Sequence, residues 1–234
     1  MTEAAHVIAD IPVQLPAQAL MDQVRVRPGT DDAREFLLLA DQATRVARPK
    51  AMVLACSIEA RGDQTVTVGR VTFTSRALRM NLDACERVFA FVATCGHEMD
   101  EVSLQPDDVL QAYWWDTLKA AALGLASAAL DRYLAGVLGP AKTATMSPGE
   151  GEVGVWPIEQ QRELFALLGD VKGRIGVVLT DSLLMIPNKT RSGIVFPSDK
   201  DYHTCQLCQR PDCPGRRRPF DPQLWVSIQP SDPA

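Results

Sequence analysis

The sequence predicts an α+β fold built on a mostly antiparallel or mixed sheet. Two features lead there. Strand-length apolar runs cluster on both sides of one long helical segment, and the 234 residues, 46% of them hydrophobic, suffice to bury a core. Charges of both signs, 24 Lys and Arg against 29 Asp and Glu, leave a net −5. That balance excludes a disordered polyelectrolyte and argues against broad nucleic-acid binding.

Residues 1–23 hold Pro12 and Pro16 and read as an irregular lead-in or a short edge strand. Val24 to Arg27 alternates like a strand and stops at Pro28-Gly29. Thr30 suits the cap of a helix whose first turn carries Asp31 and Asp32, acids favoured at the positive end of the helix dipole. Its apolar face runs Phe36, Leu39, Ala40, Ala43, Val46 and Ala47, and Pro49 closes it.

A β-rich stretch follows. Ala51 to Ile58 is apolar, and Gln64 to Val68 alternates. Gly69-Arg70 then makes a turn into Val71 to Thr74. Ser75 opens a short helix to about Asp83. Arg87 to Thr94 is continuously apolar after its first residue, the mark of a central strand covered on both faces.

After a charged segment the long helix is expected from Asp107 to Leu138, ended by Gly139-Pro140. Ala121, Gly124, Ala128 and Ala135 are its small residues, expected where another element comes close. No uninterrupted apolar run reaches the roughly 18 residues that a bilayer demands. The longest candidate, Ala120 to Leu130, is flanked by Lys119, Asp131 and Arg132. With no basic and apolar leader at the N-terminus, a cytoplasmic protein without a membrane partner is expected.

Thr143 to Gly154 is rich in Gly, Ser and Thr and is expected to be a loop; Pro157 opens a helix through Leu164, Phe165 and Leu168 to Gly169. Ile175 to Thr180, Ser182 to Ile186 and Ser192 to Phe196 are strand candidates, and Trp225 to Ile228 is expected as a last edge strand. The organisation is thus a lead-in (1–23), a main domain (24–200) and a Cys-, Arg- and Pro-rich tail (201–234).

The tail carries the strongest local chemistry. Cys205, Cys208 and Cys213 have the spacing at which thiolates share one metal ion, with His203 as the nearest fourth ligand. Zinc or an iron–sulfur cluster would both accept that set. Cys56, Cys85 and Cys95 lie among apolar neighbours and read as small buried hydrophobes. Arg210, Arg216, Arg217 and Arg218 make a basic spot fit for a phosphate or an acidic partner such as a redox carrier. Two glycine-containing bends complete the candidates. One is Ser147-Pro148-Gly149-Glu150, and the other is the polar turn before Ser192-Gly193, where backbone could meet a ligand.

Read in order, several segments resemble one family. They are Ser147-Pro-Gly-x-Gly, Trp156-Pro157-Ile-Glu-x-Gln, Leu164-Phe165-x-Leu-Leu and the run from Val178-Leu-Thr-Asp through Met185-x-Pro187 to Ser192-Gly193. Arg48-Pro-Lys50, Phe73-x-Ser75 and Val88-Phe-x-Phe-x-Ala-Thr94-x-Gly96-x-Glu98 join them upstream. Together, over residues 24–213, they resemble the activation domain of cobalamin-dependent methionine synthase, and more closely its free-standing relatives with a Cys-rich tail.

The resemblance implies a C-shaped domain with a twisted, mainly antiparallel sheet. It also implies binding of S-adenosylmethionine at Ser147, Pro148, Gly149, Glu150, Ser192 and Gly193, and a partner that carries cobalamin. The family's work is reactivation: oxidised corrinoid takes up one electron and is remethylated from S-adenosylmethionine. A flavodoxin- or ferredoxin-like protein would supply the electron. One departure stands out. The family's loop pattern is Arg-x-x-x-Gly-Tyr, whose Arg pairs the methionine carboxylate, whereas here Thr145, Gly149 and Glu150 occupy those places. Losing that bidentate partner should weaken binding, with Lys142, Lys189 and Arg191 as the nearby cations available to compensate. The departure also supports a second reading, a non-catalytic module that binds a corrinoid protein or a metal and has lost S-adenosylmethionine.

Overall fold

The structure, a computed structural model, describes residues 4–200 and 202–229. Strand β1 (His6–Ile8) and helix α1 (Ala17–Gln23) precede helix α2 (Asp31–Val46), whose first turn is capped by the Thr30 side chain accepting from the Ala33 amide at 3.2 Å. Then come β2 (Lys50–Arg61), β3 (Thr65–Val68), β4 (Val71–Thr74), α3 (Arg76–Asn81) and β5 (Arg87–Thr94). The long helix α4 (Val109–Leu138) leads to β6 (Thr143–Met146), α5 (Gln161–Leu168) and α6 (Val171–Ile175). A small hairpin, β7 (Val178–Leu179) with β8 (Met185–Ile186), precedes β9 (Thr190–Pro197), and α7 (Pro222–Ile228) lies in the tail.

The main sheet runs β4-β3-β2-β5-β9-β6, with β1 on β2, and all its pairs are antiparallel. Strand β2 serves two neighbours along one edge, β1 through Ala51–Val53 and β3 from Ile58 onward, with a register shift between Ile58 and Ala60. The alternation of side chains divides the sheet into two apolar faces. Met52, Leu54, Val88, Ala90, Val92, Ile194 and Phe196 point to one core, which α3, α5, α6 and the tail cover. Val53, Phe89, Phe91 and Val195 point to the other, covered by Ala126, Ala129, Leu130 and Leu134 of α4. The central strand β5 is thus buried on both sides, as its unbroken apolar run predicts.

The first half of α4 builds a third cluster with α1 and α2. Phe36 meets Trp114 edge-on, ring centroids 5.8 Å apart, and Trp115 donates its indole N–H to the Met99 carbonyl at 3.0 Å. On length and composition α4 is long and apolar enough to cross a membrane. A search for an uninterrupted uncharged run misses this. Here Trp114, Leu118, Ala122 and Leu130 are packed inside the protein.

Several sequence-based expectations need correction. Val24 to Arg27 forms no strand. It follows the end of α1 as a turn in which Arg25 takes φ 60°, and Val26 packs into the helical cluster. The first four residues of the expected 143–154 loop are β6, with Ala144 and Met146 buried against β9. Trp225 to Ile228 is helical, because Asp221 caps the amides of Gln223 and Leu224 at 3.0 Å and Pro222 pre-sets the first turn. Ile175 ends α6, and only two residues of each following strand candidate pair, as β7 and β8. On α4 the small residues Gly124, Ala128 and Ala135 face solvent, while Ala122, Ala126 and Ala129 make the close packing.

Candidate ligand cleft where strand β6 ends

Strand β6 stops at Met146, opposite Ile194, but β9 runs on through Gly193, Ser192 and Arg191 while still paired to β5. No described strand covers that side of Arg191 and Ser192, and a cleft of about 720 Å³ opens there. The chain leaving β6 passes very close to β9. A Cβ added to Gly193 would sit 2.4 Å from the Met146 carbonyl oxygen and 2.8 Å from Ser147 Oγ. Only glycine fits at that crossing.

The loop after β6 is braced at both ends. The Gly149 amide donates to the Trp156 carbonyl at 2.8 Å, and the Glu150 amide to the Ser147 carbonyl at 3.2 Å. Gly149 takes φ 78°, and a Cβ there would lie 2.6 Å from Ile158 Cδ1. Trp156 is buried edge-on against Phe73, and Ser75 Oγ donates to the Val155 carbonyl at 2.6 Å. Ser75 therefore both caps α3 and anchors the loop.

From the helical side, Gln161 opens α5 and is 2% exposed. Its amide nitrogen lies 2.6 Å from Ser192 Oγ and 3.2 Å from Met185 Sδ, tying the helix, β9 and the small hairpin together. A buried amide bonded to a buried hydroxyl holds both in one orientation.

The tail supplies the remaining wall. Tyr202, His203, Cys205 and Arg217 all line the cleft, opposite Ser147, Pro148, Glu150 and Ser192. Burial pushes the Tyr202 phenol up to about 12; the charge of Glu150 adds to this, and Thr204 and Asn81 offset part of it. Tyr202 therefore stays a neutral phenol at physiological pH. The structure gathers the two glycine bends foreseen from sequence into one place, with Gly149 and Gly193 shaping the backbone behind the lining side chains.

The predicted metal ligands are less gathered. Among the described residues no three His, Cys, Asp or Glu side chains stand close enough to hold a metal ion. Cys205, Cys208 and Cys213 are free and half-buried. His203 is committed to the backbone: its Nδ1 accepts from the Cys205 amide at 3.1 Å, while Gln206 Oε1 accepts from the His203 amide at 2.9 Å. Arg216 organises the turn, donating to the carbonyls of Cys205 at 3.4 Å and Cys208 at 3.3 Å and to that of Arg210. As arranged, these residues do not fit zinc or a cluster.

The three nearby cations separate cleanly. Lys189 pairs with Asp116 of α4 at 2.8 Å, and Lys142 lines a different cleft with Lys200 and Asp199. Arg191 alone lines the cleft at Ser147 and Ser192, its guanidinium carbon 5.0 Å from the Phe91 ring centroid. Gln161 and Tyr202 are absent from the candidates read from sequence, and Arg217 figures there only within the basic run of the tail, apart from the glycine bends. Gln161 could have been read there, since it closes the Trp156-to-Gln161 motif; a lone Tyr and one arginine of a run carry no comparable signal.

The upstream motifs have a separate structural role. Gly96, at φ 97°, would bring a Cβ within 2.5 Å of the Arg48 carbonyl oxygen, and Lys50 pairs with Glu98 at 3.1 Å. They brace the start of β2 against the end of β5.

No protein-family model matches the chain, and no curated protein matches it. Among solved structures it is similar to the crystal structure of the MetH reactivation domain bound to AdoHcy. The TM-score is 0.55 and the identity 15%, over 87% of this chain and 82% of that one. At that identity the likeness is one of architecture, and it agrees with the family suggested by the ordered motifs. The chain therefore has the fold of the MetH reactivation domain.

Proposed function

We propose that this chain is an accessory protein for the reductive reactivation of a corrinoid-dependent methyltransferase such as methionine synthase. In this reading it binds S-adenosylmethionine in the cleft beside β9 and presents the methyl group to a partner's corrinoid. The observation that carries the reading is the convergence of Ser147–Glu150 and Ser192–Gly193 on one cleft, in a fold shared with a domain crystallised with AdoHcy.

The chain's part is positional. The Gly193 crossing and the Gly149 turn set the backbone edge along which the ligand lies, and the Gln161–Ser192 bond keeps that edge rigid. Holding donor and acceptor in line removes the orientational cost of a bimolecular transfer, and no side chain has to move a proton. The partner's corrinoid, reduced by one electron from a flavodoxin- or ferredoxin-like donor, accepts the methyl; the C–S bond breaks and its electron pair stays on sulfur, leaving AdoHcy.

The test is to mix the purified chain with an oxidised corrinoid methyltransferase, a reductant and S-adenosylmethionine. Methylated corrinoid should rise well above the level reached without the chain. An unchanged yield sinks the proposal. Thr145 and Glu150 both line the cleft and favour the second reading, a corrinoid-protein-binding module without S-adenosylmethionine. Calorimetric silence toward S-adenosylmethionine together with tight binding to the corrinoid protein would select it.

A further inference from the structure

The tail arginines divide their work. Arg216 turns inward to the carbonyls of its own loop, whereas Arg217 lines the cleft from the tail side. Arg191 reaches the same cleft from β9, where stacking on Phe91 covers one face of the guanidinium and leaves its edge to donate. Neither Arg191 nor Arg217 forms an ion pair among the described residues, although Glu150 lines the same cleft. Positive and negative groups are thus held apart around one space, an arrangement that suits a zwitterion better than a simple anion.

We propose that Arg191 of the sheet and Arg217 of the tail together clamp an anionic group of the cleft's ligand, so that the tail is a working wall of the binding site. Resting on the function proposed above, the anion is the carboxylate of an S-adenosyl amino acid, and Glu150 faces its ammonium. The clamp takes the place of the arginine that is absent at Thr145.

Calorimetry on the full chain with AdoHcy, with 5′-methylthioadenosine, which lacks the amino-acid end, and with inorganic phosphate tests this. AdoHcy should bind at least about tenfold more tightly than 5′-methylthioadenosine, the usual scale for one charge-assisted pair. Arg217→Ala, at an exposed position, should remove most of that difference while leaving 5′-methylthioadenosine unchanged, and Arg217→Lys should restore part of it. Arg191→Ala, checked for folding by circular dichroism, should act the same way. AdoHcy binding that is indifferent to both substitutions overturns the clamp but leaves the S-adenosyl reading standing. Phosphate binding that depends on Arg217, with no AdoHcy binding, upholds the clamp and removes that reading. If neither AdoHcy nor phosphate binds, the clamp is wrong.

Discussion

Gly193 decides whether the chain leaving β6 can pass β9 as closely as it does, because the space a side chain would need is filled by backbone. Gly193→Ala places a methyl against the Met146 carbonyl, which cannot rotate away like a side chain, so the two strands must separate. The expected cost is about 1–3 kcal/mol in urea unfolding, the range for overpacking a tight site. A variant as stable as the parent would show that the crossing has room. Cys95 gives a second residue-scale prediction. Burial pushes its thiol up from the ordinary 9.0 to about 11, more than the charge of Lys119 offsets. A raised thiol pKa means the folded state holds its proton longer than the unfolded one. The resulting stability is complete below pH 9 and is lost as pH rises through 11. Against Cys95→Ala, the advantage of the parent should shrink by about 1 kcal/mol by pH 10; a gap that is flat with pH would place the thiol in contact with water.

Among the elements, the legible ones are those whose burial pattern has a single cause. In α2 the Thr30 cap, the two aspartates and an apolar stripe all agree, and β5 is covered on both faces, so its run is unbroken. Reading fails where local signals compete. β6 carries only four residues between a Gly-Pro turn and a glycine-rich loop, and its partner β9 lies fifty positions on. Trp225-Val-Ser-Ile has strand-like side chains, yet the Asp221 cap and Pro222 commit the segment to a helix. On α4 the small residues are spread around the whole circumference, so composition alone could not say which of them pack. In the cleft, the glycine bends were readable because close backbone approach demands glycine. The Tyr202–Arg217 wall was not, since nothing local to the tail says which surface it lies against.

At the scale of the molecule, the tail is joined to the main core. Leu207 and Ile228 are buried with Leu78, Leu164 and Phe196, and the Asp221 amide donates to the Gln206 carbonyl at 2.8 Å. A chain ending at Lys200 should lose both anchors and the Tyr202 side of the cleft. Burying two such side chains stabilises by about 3–6 kcal/mol before entropy is counted, so the truncated chain should melt at a clearly lower temperature. If the proposed clamp holds AdoHcy, the truncated chain should also bind it more weakly than the full chain. Equal melting of the two would mean that the tail contributes nothing to the core.

The same docking sets an order in time. Strand β9 ends at Pro197 and Arg217 follows twenty positions later, so a chain emerging from the ribosome can finish its sheet before the cleft has its tail side. A ligand that needs both walls would then be captured only after the tail has docked.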